Sequence, residues 1–389
     1  MKRREIILGA AALATGAGTV NVLRKKPGAQ KRESGPKPDT IGAPAIGKGL
    51  KQFRLVTSWP KDFPGLGIMP NRFAEYVNTM SEGRIEVKVY AAGELVGAAE
   101  VFDAVSTGAA DMYHSAEYYW QGKAKGFSFF TAVPLGLSAT ETIGWMEFGG
   151  GQELWDKLSG RFNIKAIPAG NTGHQMGGWF KKPIHSLEDF KGLKMRMPGI
   201  GGEVIRRLGG AAVKLSGGEI YQALQSGSID ATEWVGPWND LAFGFYREAP
   251  YYYGPGFHEP GATLSLGINR KIWDGFSASD QAMIRAACHT ANNTSFGEYI
   301  HENAKALQVL KNKHHIIPRT FPADVWKKFG EASEEVLADV GRSDKETAAI
   351  YESYIKARNA YRQWTEIGEG AYIEERARAL NALMGPGKK

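Results

Sequence analysis

Cysteine is almost missing from this chain: Cys288 is the only one among 389 residues. A disulfide framework is excluded, as is a lipid-modified amino-terminal cysteine, so stability has to come from packing. No apolar run reaches the roughly 20 residues of a membrane-spanning helix. Positive charge is scarce where a nucleic-acid binder would need it. Residues 1–34 hold eight Lys/Arg and two Glu, which accounts for six of the formal +7 and leaves the rest of the chain nearly neutral. A nucleic-acid binder keeps its basic residues on the folded part. No G-x-S-x-G, H-E-x-x-H or Cys-His arrangement of a hydrolase occurs, and the low-complexity repeats of an adhesive surface protein are lacking too.

What is present begins with an address. Lys2, Arg3 and Arg4 precede an apolar run over residues 6–17, with small residues suited to cleavage behind it. Residues 1–20 thus read as an export signal to the periplasm, and the adjacent arginines resemble a twin-arginine signal, an ordinary Sec signal or an uncleaved anchor being the alternatives. Residues 21–47 mix Lys, Pro and Gly without apolar periodicity, the composition of a disordered spacer.

The remaining length fits two lobes better than one core. Alternation predicts strands over 53–57 and 85–90, with a helix over 71–80 between them. A helix over 100–106 ended by Gly108 and a strand from Asp111 complete a β-α-β series. The unit recurs 119 residues later. Glu100 to Asp111 and Glu219 to Asp230 share Glu, apolar, aromatic, x, Ala, apolar, x, Ser/Thr, Gly, x, x, Asp, and each copy follows an alternating strand, at 85–90 and 212–215. Copies so far apart are matching parts of two similar lobes rather than a solenoid. The fold class expected is α/β, a two-lobe periplasmic-binding-protein-like fold. Lobe I takes 48–169 and 262–320, lobe II takes 170–261, and a helical extension covers 321–389. Residues 164–180 and 263–268 read as extended segments crossing between lobes. Residues 140–162 read as one helix, 193–197 as a strand and 203–208 as a helix. A helix opened by Ser186 with Asp189 at its third position is a further expectation, and 323–380 is almost entirely helix-permitting.

The stretch I-D-A-T-E-W-V-G-P-W-N-D (229–240) starts as a strand and stops at Gly236-Pro237, leaving Glu233 and Trp234 beyond a strand end, where open α/β sheets place ligands. Arg196 stands at another strand end before Pro198-Gly199, and its donor fork suits a carboxylate. Gln175, His174, Asn171 and the turn His258-Glu259-Pro260-Gly261 complete the candidate set.

Three segments carry a resemblance: K-G-L-K-M-R-M-P-G (191–199), S-G-G-E-I-Y-Q-A-L-Q-S-G-S-I-D-A-T-E-W-V-G-P-W-N-D (216–240) and Y-Y-Y-G-P-G-F-H-E-P-G-A (251–262). They resemble the extracytoplasmic solute-binding subunits of TRAP transporters, the DctP-type family, and look most like its branch for 2-oxo acids and related monocarboxylates. The resemblance covers roughly 50–350. It implies that Arg196 holds the solute carboxylate, while Gln175, Glu233, Glu259 and the Trp234 carbonyl coordinate a metal ion, Na⁺ or Ca²⁺, that also touches the solute. Oxygen-only ligands are what such hard cations take. Asn171 is expected to donate to the solute, and Tyr113, Tyr118 or Trp59 to close the pocket from lobe I. The partners implied are a small organic acid and TRAP membrane permease subunits, with a homodimer possible through exchange of a carboxy-terminal helix. The function expected is therefore binding rather than catalysis. The alternative is an exported hydrolase or lyase using Glu233 and Glu259 as an acid/base pair with His174 or His258.

Overall fold

A computed structural model describes residues 49–384. The export signal and the spacer lie outside the described residues. From the amino-terminal side, β1 (Lys51–Thr57), α1 (Met69–Met80), β2 (Ile85–Tyr90), α2 (Val101–Thr107) and β3 (Met112–Ser115) form the expected β-α-β series. Then come α3 (Ala139–Phe148), α4 (Gly151–Gly160) and β4 (Ile164–Asn171). The single helix expected over 140–162 is two, because Gly149 and Gly150 interrupt it and Gly150 adopts a left-handed φ of 83°.

The chain continues through β5 (Gly178–Phe180), β6 (Lys194–Arg196), α5 (Gly199–Arg207), β7 (Ala211–Val213), α6 (Gly217–Ser226), β8 (Ala231–Thr232), α7 (Pro237–Phe243) and β9 (Tyr251–Tyr253). The helix opened by Ser186 is a single 3₁₀ turn, Leu187–Phe190, although its capping box is present. α5 starts four residues before the expected 203, since Pro198 already serves as its cap. β10 (Thr263–Asn269) returns, followed by α8 (Arg270–Asp274) and the 37-residue α9 (Ala278–His314). The helix-permitting tail is three helices, α10 (Ala323–Gly341), α11 (Lys345–Thr365) and α12 (Glu369–Met384).

Two five-stranded sheets result, ordered β2-β1-β3-β10-β4 and β7-β6-β8-β5-β9. Their wiring matches. In each, the first strand pairs in parallel with the next two, and the third pairs antiparallel with a strand from elsewhere in the chain. The sequence repeat sits at the same place in both. Asp111 donates its backbone N–H to Arg54 O and accepts from Arg54 N, and Asp230 does the same with Lys194. This reciprocal pair fixes the register where the parallel strands start, and Gly108 and Gly227, at φ 85° and 78°, end the preceding helices in the left-handed conformation that glycine adopts without penalty.

The segments joining the sheets also pair with each other. Between β4 and β5, and between β9 and β10, Thr172 N donates to Ala262 O, Gln175 N to Glu259 O, Gly256 N to Gln175 O and Gly177 N to Tyr253 O. α9 packs on β4 and α1 and, further along, on α7. One buried apolar cluster draws Trp59, Leu66, Tyr118 and Leu264 from the first sheet's side together with Trp179, Ile220, Trp234 and Val235 from the second's.

Candidate functional site

The site lies where these joining segments meet the carboxyl ends of β6 and β8. β8 is only two residues long, so Glu233 and Trp234 are released from the ladder as soon as it ends. Asp240 fixes the loop that follows: it accepts from Val235 N at 3.3 Å, Trp179 Nε1 at 3.0 Å and Tyr252 Oη at 2.9 Å. Burial pushes the Asp240 carboxyl up to about 7. The Trp234 indole lies against Gly217, where an added Cβ would come within 2.6 Å of the ring; only a glycine leaves that slot.

Arg196 and Glu233 are both about 1 % exposed at their side chains and form an ion pair through Nη1 and Oε1. Arg196 Nη1 also donates to the Glu233 carbonyl at 3.3 Å, Nε donates to Leu215 O at 3.2 Å, and the guanidinium stacks over the Trp234 ring at 5.0 Å. Its second amino group, Nη2, has no partner. The other Glu233 oxygen accepts from His258 Nε2 at 3.3 Å. Glu259 is buried with Oε2 unpartnered, and Gln175 is buried with Oε1 unpartnered while its amide donates to Thr172 Oγ1 at 3.0 Å. Burial, and then the neighbouring charge of Glu233, hold the Glu259 carboxyl well above the usual carboxylate range. A ligand atom each of Glu233, His258 and Glu259 lies within 4.8 Å of the others. Buried polar groups without partners are rare in folded proteins, and here several face one small region.

That region is a cavity of about 10 Å³, the room one water needs. Arg196, Gln175, Thr172, Tyr118 and Tyr119 line it, and Arg196 is its sole Lys or Arg. Across it, Trp59 and Trp234 meet edge to face at 6.5 Å. At the rim Lys214 Nζ donates to Tyr119 O at 3.1 Å. A larger hollow of about 270 Å³ between α3 and α9 is lined by Met146, Pro168 and Asn292 among others, with no Lys or Arg in its wall.

Of the sequence candidates, Gln175, Arg196, Glu233, Trp234, Glu259, Tyr118 and Trp59 come together. Asn171 does not reach the cavity wall: its Oδ1 accepts from Gly173 N at 2.8 Å and its amide faces Thr263 Oγ1 at 3.4 Å, so the side chain is used to turn the chain at the end of β4. Tyr113 is turned away as well, donating to buried Glu117 at 2.6 Å. Glu259 has no arginine partner across the cleft, and the arginine bound by Glu233 belongs to the neighbouring strand. Sequence reasoning missed Thr172, Tyr119, Leu66, Val235, Ala262 and Leu264, which line the same cavity.

The family described as bacterial extracellular solute-binding protein, family 7 (DctP), matches residues 55–344. The chain belongs to this family. It is 37% identical over 373 residues, 96% of this chain and 98% of the relative, to a monocarboxylate 2-oxoacid-binding periplasmic protein of Nostoc sp.. Two solved TRAP periplasmic solute-binding proteins share the fold with a TM-score of 0.81. One, from Pseudoalteromonas atlantica with bound sodium and pyruvate, is 40% identical; the other, from Colwellia psychrerythraea with bound calcium and pyruvate, is 38% identical. Each match covers 84% of this chain and 99% of the other. A third, from Bordetella bronchiseptica, is 33% identical with a TM-score of 0.83 over 85% of this chain and 98% of its own, and is a dimer with calcium and picolinate. Family membership makes this an extracellular solute-binding protein with the two-sheet α/β architecture and carboxy-terminal helices.

Proposed function

We propose that the protein captures a short monocarboxylate, a 2-oxo acid or its 2-hydroxy counterpart, outside the cytoplasm and hands it to the membrane subunits of a TRAP transporter. The observation that carries this reading is the buried Arg196, with an uncommitted Nη2, as the one charged side chain in the cavity wall. A guanidinium held by its stem, with one amino group free, is placed to bind one carboxylate and no more. A dicarboxylate would leave its second charge buried beside Leu66, Val235, Ala262 and Leu264, which is strongly unfavourable. Relatives that bind pyruvate or picolinate, both monocarboxylates, support the same class.

The acidic cluster fits a cation. Gln175 Oε1 and Glu259 Oε2 are buried acceptors lacking donors, and Glu233 stands beside them. Gln175, Glu233, Glu259 and the Trp234 carbonyl would hold Na⁺ or Ca²⁺, whose charge offsets the carboxylates and gives the solute an electrophilic contact. Arg196 then exchanges part of its pairing with Glu233 for the solute carboxylate, while Trp59, Tyr118 and Tyr119 exclude water. Glu233 and Glu259 act as ligands in this reading, not as an acid/base pair. The lobes are 48–169 with 262–320, and 170–261, moving about the joining segments. Export uses the twin-arginine route, and replacing Arg3 and Arg4 by lysine abolishes it; continued secretion would refute that route.

A homodimer also belongs to the reading. Trp364, Ile367, Tyr372, Leu380 and Leu383, in and before α12, are 53% to 83% exposed, an apolar stripe that a second copy would cover. Light scattering giving the mass of one chain would count against it. The central test is a calorimetric screen of mono- and dicarboxylates with sodium or calcium present. Binding of 2-oxo monocarboxylates, recovered unchanged afterwards, supports the proposal; turnover of the acid, or preference for dicarboxylates, overturns it.

A further inference from the structure

Most of the apolar cavity wall comes from strands or strand ends, but Leu66 comes from the loop between β1 and α1, and yet it is only 2 % exposed. That loop is held from the other side of the cleft. Asn239 of α7 donates its Nδ2 to the Pro64 carbonyl at 2.9 Å, and Tyr299 of α9 donates its hydroxyl to Asn239 Oδ1 at 2.8 Å. Leu66 N and Gly67 N close turns onto Pro64 O and Phe63 O at 2.8 and 2.9 Å. Gly65, at φ 66°, sits so close to Tyr299 that a Cβ would lie 2.5 Å from its hydroxyl oxygen. Asn239 and Tyr299 are fully buried, so the relay from α9 through α7 to the loop is shielded from water, and Leu66 is fixed rather than free to swing aside.

Opposite kinds of wall therefore surround a bound acid: a charged end that recognises the carboxylate, and an apolar end whose one loop residue is clamped. We infer that Leu66, positioned by Asn239 and Tyr299, sets the upper limit on the solute's chain length. The solute is then a 2-oxo acid with a tail of one or two carbons, and longer or branched tails are refused because accommodating them would require breaking the buried relay. The inference rests on the proposed function and goes beyond it by naming the residue that selects among 2-oxo monocarboxylates. Asn239 does not line the cavity; it acts through Leu66.

The test is titration calorimetry with sodium present, comparing pyruvate with 2-oxohexanoate on the wild-type protein and on Leu66→Ala, Leu66→Val and Asn239→Ser, each checked for folding by circular dichroism. One methylene too many in a fixed apolar pocket is worth on the order of tenfold or more. The wild type should bind 2-oxohexanoate at least about tenfold more weakly than pyruvate. Leu66→Ala should close that gap, read as the ratio of the two affinities, by about tenfold, Leu66→Val should close it partly, and Asn239→Ser should narrow it by a few-fold although its side chain is not part of the cavity wall. A wild type that binds both acids equally, or folded Leu66 variants with an unchanged ratio, overturns the inference. If the wild type binds neither acid, the proposed function itself fails and this inference falls with it.

Discussion

The two sheets are wired alike but end in different chemistry. Counting from the matched aspartates, His114 in the first sheet stands where Glu233 stands in the second. His114 is buried and kept neutral, its pKa lowered to about 4 by burial, with Nδ1 accepting from Trp59 Nε1 at 2.8 Å. Glu233 is equally buried but faces an arginine. Three residues beyond His114, just past the end of β3, there is a glutamate on this side too, Glu117, and it has only neutral partners: Tyr113 Oη and Ser265 Oγ donate to it at 2.6 Å each. Burial raises its carboxyl to about 7. The first sheet's side thus contributes no charged residue to the cavity wall, while fixed charge is concentrated on the other. A repeated framework need not repeat a site: counted from the same aspartate contacts, Val56 and His114 stand in the first sheet where Arg196 and Glu233 stand in the second.

Replacing the arginine breaks this division most severely. Arg196→Ala should cost about 2–5 kcal/mol of solute affinity, the loss expected when a buried charge-assisted contact disappears. Arg196→Lys should lose most of it as well, since an ammonium lacks the planar fork. Wild-type affinity in the lysine variant, by calorimetry, would show that the charge matters and the fork does not.

The next largest effect lies on the neutral side. A carboxyl whose folded pKa, about 7, exceeds its unfolded value of 4.5 binds a proton more tightly when folded. Its contribution to stability is full below pH 4.5 and is lost as pH rises toward 7, because the folded state must then give up the proton or bury the charge. Glu117→Gln removes this dependence and should stabilise the protein at pH 8 relative to wild type by on the order of 3 kcal/mol, with little difference at pH 4.5. Chemical denaturation at both pH values measures it, and equal gains at both would mean that Glu117 is not protonated in the native protein.

Metal and solute should bind cooperatively, each tightening the other by an equal factor worth about 1–3 kcal/mol. Glu259→Gln should weaken both together; metal-stripped protein, verified by elemental analysis, that holds its acid as tightly as the loaded form would separate the acidic cluster from the site. The smallest effect expected is that of Trp59→Phe, which leaves His114 Nδ1 without its donor. Stability should fall by about 1–2 kcal/mol, and solute affinity should change only a few-fold if the first sheet contributes cover alone.

Much of this was legible before any coordinates. The repeat could be read because its Asp and Gly have backbone tasks that few residues perform, pinning parallel strand starts and ending helices. Arg196, Glu233 and Glu259 stood out because charges beside Pro-Gly breaks are conspicuous. Leu66, Val235, Ala262 and Leu264 did not, since an apolar residue on a cavity wall has the same sequence signal as one in the core. Asn171 is set by the chain itself: Gly173 N donates to its Oδ1, and its amide points to Thr263 Oγ1 at 3.4 Å, neither of which its sequence position signals. The helix over 140–162 was overextended because Gly149-Gly150 can sit inside a helix at modest cost, and here takes a left-handed turn instead.

The position of β10 has a consequence for how the protein is made. All five strands of the second sheet lie within residues 178–253, so that sheet can assemble as soon as one continuous stretch leaves the ribosome. The first sheet cannot. β10 is inserted between β3 and β4, so the earliest strands to be synthesised must wait for residues 263–269, and until then β3 and β4 present open, apolar edges. The later-encoded sheet thus has all its strands in the chain before the earlier-encoded one does, and the first sheet closes only when the chain comes back to it after building the second.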